Sequence, residues 1–390
     1  MTPRSASPPS LPRRTEAALR RSQEQGRLQV RTAADFRRLV GEAGLAEAYA
    51  ATEVVVASEA LFTDQASLVL SLGPTDPPIR LRTVRLAGVS ALAGCGPADL
   101  VLPIGGGLSS GVGEGDCRGG AQVLAALLAG EPVSVAGIGE TTAQHPRREL
   151  HGELRLGQIG SGRLLLHRAI QENGVVAVSS AEGLLHTACG SLLGPLVNGL
   201  YTCAGAGSIG LTMPGLELLG PGSPVLVAGA VGWVIGSGSG HQPQPRRQPG
   251  GHALSPGASA AVAADLHDLD PRWIRPCFFE GHGSALITAV AAPVPLLDGG
   301  TARAAAAGPE ALEAPVLDLA IPRRVKPALG SITYAELERG SFRLDGRELR
   351  CAPAHSPGWP AASRTSWWSG CVRTAFLCGC QPCRCRAGRP

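Results

Sequence analysis

The chain has 390 residues, 44% apolar, 17% charged and 4% aromatic, with 53 Gly and 32 Pro. That balance supports a large buried core and excludes a coiled coil, and no apolar run reaches the ~18 residues of a membrane-spanning helix. The formal charge of +4 arises at the end of the chain, because residues 351–390 hold five Arg and no acid; the remainder is one charge negative, so no nucleic-acid partner is expected. Residues 1–30 are rich in Arg, Pro, Ser and Gln and predict a disordered lead-in. They show no apolar segment behind the first charges, so a cytoplasmic location is expected. A helix is predicted over 33–51, then a buried strand over 52–56 and an ambiguous apolar segment over 61–72 that ends in the Gly-Pro-Thr-Asp-Pro-Pro turn at 73–78. The alternation over 79–92 predicts a strand or hairpin with one wet face. Residues 100–120 read as a glycine-rich loop, followed by a short helix to Ala129 and a strand at 133–135.

Further strands are predicted at 164–166, 175–178, 225–228 and 233–235. Apolar segments follow at 258–266 and 286–297, and a short helix at 334–339 stops at Gly340. No internal repeat is present. The mixture predicts an α/β arrangement, with mixed α+β as the alternative, in one large Gly-rich domain with a mixed sheet over 31–350.

Several chemistries are excluded or weakly supported. Lys326 is the only lysine, so a P-loop is absent and a Schiff-base lysine has one poor candidate. No His-x-x-x-His pair occurs, and no metal site is expected. Gly205-Ala206-Gly207-Ser208-Ile209-Gly210 matches a dinucleotide fingerprint by letters. However, Pro214 breaks the helix it needs and no acid follows at the right distance, so the segment reads as a tight turn and no cofactor is expected. The glycines at 105–107 and 111–115 could nest an anion or form a surface loop. His241 follows a predicted strand and a Gly/Ser stretch, a setting for an acid–base or ligand group or for an exposed loop imidazole. Cys189 and Cys203 lie in the apolar middle of the chain, either as sulfur-activating thiolates or as small buried hydrophobes.

The end of the chain is anomalous. Six of the eleven Cys and three of the five Trp fall in residues 351–390. Trp367–Arg373 written as TGG-TGG-AGT-GGC-TGC-GTC-CGG, started two bases later, reads Val-Glu-Trp-Leu-Arg-Pro. A frameshifted or non-native tail is therefore expected from about Cys351.

Seven blocks in order resemble one family. They are Thr75–Arg80; Gly119–Leu124 with Leu128–Val133; Pro146-Arg147; Tyr201–Gly205; Ala228–Val234 running on to His241; Pro293–Asp298; and Leu329–Leu337. Together they are similar to the homocysteine biosynthesis protein family, over 31–350. The resemblance implies sulfur incorporation into a small aspartate-semialdehyde-derived substrate to form homocysteine, with electrons from a ferredoxin-like reductase partner; a homo-oligomer is also expected. It implies catalytic roles for His241, Asp64 and the thiol of Cys203, and substrate-binding roles for Asp76, Asn198, Tyr201, Gly205, Gly238 and Ser239. Methanogen-type members carry cysteines where this chain has Asp64 and just before Pro146, which suggests a divergent, cyanobacterial-type branch. The alternative is a non-catalytic small-molecule-binding or assembly protein on the same scaffold.

Overall fold

The computed structural model describes residues 11–355 except 95, 108–118, 203–204 and 280–281. Among these residues, fourteen strands form one mixed sheet and six form a second. The large sheet grows from the apolar runs read in the sequence. Leu68 and Leu70 on Ala66–Ser71 and Leu164 and Leu166 on Ser161–Gln171 are fully buried in its core. Burying each such side chain stabilises the fold by ~1.5–3 kcal/mol before conformational entropy is set against it. The predicted hairpin forms between Leu81–Leu86 and Val89–Ala93.

The sheet folds back on itself. Val54–Thr63 pairs antiparallel with Gly283–Pro295 and lies five places from Ser161–Gln171 in the strand order, yet the two strands pack together. The corner Asp64-Gln65 brings this about, because Ala66–Ser71 leaves it to pair directly with Ser161–Gln171. The predicted strand at 52–56 is thus only the first half of Val54–Thr63. Its second half carries Ser58 and Glu59, and these polar residues hide the strand's length from a reading of apolar runs.

The smaller sheet contains Val176–Val178, Asn198–Tyr201, Glu313–Asp318 and Arg347–Pro353. It packs a separate core with Phe342, Leu349, Tyr334 and Leu337. The last two lie on the predicted helix, Tyr334–Glu338, whose start is fixed by a reciprocal Thr333–Glu336 capping box. Glu172 and Asn173 join the two sheets. The buried Glu172 carboxylate accepts from Gly215 N–H (2.8 Å), Ala258 N–H (3.0 Å) and Arg247. The Asn173 amide donates to Ala253 and Glu313 carbonyls (2.6 and 2.8 Å) and accepts from Tyr334 O–H (2.7 Å).

Two expectations change. The described part of the lead-in, residues 11–30, is ordered. Arg14 donates to the carbonyls of Thr52 (2.7 Å), Leu296 (3.2 Å) and Tyr49, and Thr15 caps the helix Glu16–Glu24. The helix predicted over 33–51 is two helices, Ala33–Ala43 and Leu45–Ala50, broken at Gly44, whose φ is +86°. At the expected start of the non-native tail, residues 350–353 pair parallel with Asn198–Tyr201, so the smaller sheet runs on to Pro353; residues 356–390 of that tail lie outside the described residues. Among the described residues no helix is long and apolar enough to cross a membrane.

Candidate functional site

The fold-back of the large sheet opens a cleft of about 290 Å³ against the smaller sheet. Residues 59–65 form one wall, Arg168 and Gln171 another, and Asn173–Val175, Cys189 and Thr202 close the third. Local structure explains why each side chain is there. At the corner, Gln65 N–H donates to Thr63 Oγ1 (3.0 Å) and His167 N–H to the Gln65 carbonyl (2.9 Å). This leaves Asp64 on the cleft, its Oδ2 3.4 Å from His282 Nε2.

Four residues earlier, Glu59 lies on the same wall. The residue is partly exposed, but Oε1 is buried and has no hydrogen-bond partner. Burial pushes its carboxyl up to about 8, so the side chain holds its proton at neutral pH. Gln65 Oε1 and both ring nitrogens of His355 are also buried without hydrogen-bond partners. Buried polar atoms are ordinarily satisfied, and such a concentration around one cleft marks a ligand site. His355 stacks on Phe62 (3.6 Å, 14°), and burial, reinforced by His282, pushes its imidazole down to about 4.

Arg168 faces Asp64 across the corner. Its Nε donates to the Ser239 carbonyl (2.7 Å). Burial lowers the guanidinium pKa, partly offset by the field of Asp64. Cys189 sits in the turn between Gly183–Thr187 and Gly190–Gly194, with its N–H on Thr187 Oγ1 (3.1 Å). Burial pushes its thiol up to about 11. Among the described residues no three His, Cys, Asp or Glu side chains gather into a metal-binding group.

Of the residues singled out in the sequence, Asp64 lines this cleft, as does Cys189. Cys203 lies outside the described residues, although its neighbour Thr202 is on the cleft wall. His241 does not line the cleft. Its exposed imidazole accepts Ser259 N–H at Nδ1 (3.0 Å), because the Gly238–His241 loop folds onto the outside of the strand that carries Arg168. Gly238 and Ser239 lie in that loop and act behind Arg168, not on the cleft surface. Asp76 is exposed on the 73–78 turn, away from the cleft wall. Asn198 braces the neighbouring hairpin, accepting Leu193 N–H (2.7 Å) and donating to the Ser191 carbonyl (3.3 Å). Tyr201 is a strand residue whose carbonyl accepts Ala354 N–H (2.8 Å). Gly205, at φ +88°, turns the chain into Ser208, which caps the single helical turn Ile209–Thr212. That helix is four residues long and ends before Pro214.

Sequence reasoning missed Glu59, Arg168 and His355. A carboxylate within the apolar run VVVASEALFT is the one signal that could have pointed to Glu59. Nothing local distinguishes Arg168 from the other arginines.

Two curated relatives, both L-aspartate semialdehyde sulfurtransferases, match most of the chain. One, from Methanosarcina acetivorans, is 28% identical over 324 residues, covering 83% of this chain and 62% of the relative. The other, from Methanocaldococcus jannaschii, is 26% identical over 338 residues, covering 84% and 63%. The chain therefore spans less than two thirds of the length of either. No solved structure matches it. The profile described as homocysteine biosynthesis enzyme, sulfur-incorporation, matches residues 28–359, and the chain belongs to that family.

Proposed function

We propose that this cleft adds sulfur to the aldehyde carbon of an aspartate-semialdehyde-type substrate, yielding homocysteine. The observation that carries the reading is a carboxylic acid that keeps its proton, Glu59, in one cleft with a cation, Arg168, and a thiol, Cys189. Names of the relatives supply the substrate class. The chemistry has two stages. Sulfide-level sulfur attacks the carbonyl carbon while an acid protonates the oxygen, giving a carbon that bears hydroxyl and thiol. Loss of water leaves a C=S group, and two electrons with two protons reduce it to the thiol. Glu59 protonates the carbonyl oxygen and then, as the carboxylate, takes the S–H proton of the adduct and passes it to the departing hydroxyl as C=S forms. The electrons come from an external ferredoxin-like reductase. Cys203 is the proposed sulfur carrier: an external sulfane donor loads it as a persulfide, and two further electrons from the reductase cleave the S–S bond, releasing the sulfide that attacks and returning the Cys203 thiolate; Cys189 is held as a neutral thiol by its burial. A cytoplasmic setting, where thiols stay reduced, suits this chemistry.

The test is complementation of a homocysteine auxotroph by the wild type, Glu59→Gln, Cys203→Ser and Cys189→Ser. Growth with the wild type and loss with Glu59→Gln supports the reading; growth unaffected by Glu59→Gln removes the acid. The second reading, a non-catalytic binding protein, is favoured by the protonated Cys189 and by Asp64 standing where a family thiol is expected. Failure of the wild type to complement beside a working reductase would select it.

A further inference from the structure

Arg168 is a half-buried cation with unused hydrogen-bonding capacity. A guanidinium presents five N–H donors in a rigid fork. Arg168 places Nε on the Ser239 carbonyl, and among the described residues neither Nη group reaches a carboxylate within ion-pair distance. Asp64 acts on it only through its field, and Glu59 is neutral at physiological pH.

The side chain is nevertheless fixed in place. Gly238 N–H donates to the Ser259 carbonyl (2.8 Å) and Ser239 N–H to the His167 carbonyl (2.7 Å), while Ser259 N–H donates to His241 Nδ1 (3.0 Å). These bonds fasten the loop to the strands on both sides and aim the Ser239 carbonyl at Arg168. Gly240, at φ +71°, completes the seat: a Cβ there would lie 2.3 Å from Arg168 Nη2. The loop therefore holds a guanidinium on the cleft wall without neutralising it.

We propose that Arg168 is the carboxylate anchor of this cleft, gripping the α-carboxylate of an amino-acid substrate through its two Nη groups, and that the Gly238–His241 loop is its positioning device. The ligand class is a zwitterionic α-amino acid with a short side chain. Asp64, close enough to act on Arg168, accepts the ammonium group and repels a second negative charge, which disfavours a phosphate dianion. The assignment rests on the aldehyde-substrate reading above but concerns a different part of the substrate, so the two can fail separately.

The experiment is calorimetric titration of L-homoserine, which carries an unreactive alcohol in place of the aldehyde, and of 3-aminopropan-1-ol, which lacks the carboxylate. Proteins are the wild type, Arg168→Gln, Arg168→Lys and Gly240→Ala, each checked for folding by circular dichroism. Loss of a charge-assisted bidentate pair predicts a fall of about 10- to 100-fold in L-homoserine affinity for Arg168→Gln. A smaller fall is expected for Arg168→Lys and none for the amino alcohol in either. Should Arg168→Gln fail to fold, Arg168→Lys keeps the charge and still tests the fork. Gly240→Ala raises the KM for the aldehyde substrate and leaves kcat in place, a split that general destabilisation does not produce. Undiminished L-homoserine binding in folded Arg168→Gln, or no binding by the wild type, overturns the proposal. Arg168-dependent binding without turnover upholds the anchor and refutes the reaction; turnover with unchanged KM in Arg168→Gln does the reverse.

Discussion

Glu59 makes a quantitative prediction about stability. Its carboxyl titrates near 4.5 when exposed and is pushed up to about 8 in the fold by burial. Below 4.5 both the folded and the unfolded chain bind the proton, and the residue adds no pH dependence. Between 4.5 and 8 the unfolded chain releases the proton while the folded one keeps it, so stability falls as pH rises; above 8 the loss is complete. Between pH 5 and pH 7.5 the difference amounts to about 3 kcal/mol, an upper figure because Glu59 is partly exposed. Glu59→Gln keeps the shape and removes the titration. Urea unfolding of both proteins at the two pH values reads the effect: the wild type should lose about 3 kcal/mol more than the variant. Parallel pH dependences would show that Glu59 ionises normally in the fold, and the acid role would fall with it.

Three further outcomes follow from the same geometry. Cys189, with its thiol pushed up to about 11 from 9.0, should alkylate with iodoacetamide at pH 7.5 about 100-fold more slowly than an exposed thiol, as followed by peptide mass spectrometry. Glu172→Ala strips the partner from Arg247 and the acceptor from Gly215 and Ala258 N–H; denaturant unfolding should show a loss of about 3–5 kcal/mol, whereas a loss below 1 would mean the knot is not structural. Gly210→Ala places a Cβ 2.1 Å from the Gln171 carbonyl oxygen and 2.4 Å from Glu172 Cα; both are backbone atoms, so the thermal midpoint should drop sharply, and an unchanged midpoint would refute the close approach.

Legibility in the sequence followed the physics of each segment. Burial on both faces leaves a continuous apolar run: Pro224–Val227 was read as a strand near its true position, and most of Gly283–Pro295 was seen as an apolar segment without being read as a strand. Arg347–Pro353 was not read as either, since its exposed residues resemble a loop and its pairing with Asn198–Tyr201 is a contact between distant parts of the chain. The site followed the same rule. Asp64 was reached through the order of the family-like blocks, and Cys189 through its apolar surroundings. Glu59 and Arg168 converge only because the sheet folds back at residues 64–65, a tertiary event with no local pattern. The His241 segment was singled out as a loop that displays an imidazole toward a ligand, but that imidazole serves the backbone of Ser259.

The arginines clarify why Arg168 stands apart. Arg14 is satisfied by three carbonyls and lies over the Tyr49 ring at 3.9 Å. Arg247 meets the Glu172 carboxylate and the Gly251 carbonyl (2.8 Å). Both use the planar fork to fasten segments far apart in the chain, a task for which the point charge of a lysine is poorly shaped. Arg168 has the same half-buried setting and a loop devoted to holding it, yet it receives one carbonyl. Arg37 is filled to the same extent, by the Ala206 carbonyl (3.1 Å) and the field of Glu338, but it does not line the cleft; Arg168 does, beside Asp64 and Glu59. The open face is explained if the missing acceptor arrives with the substrate.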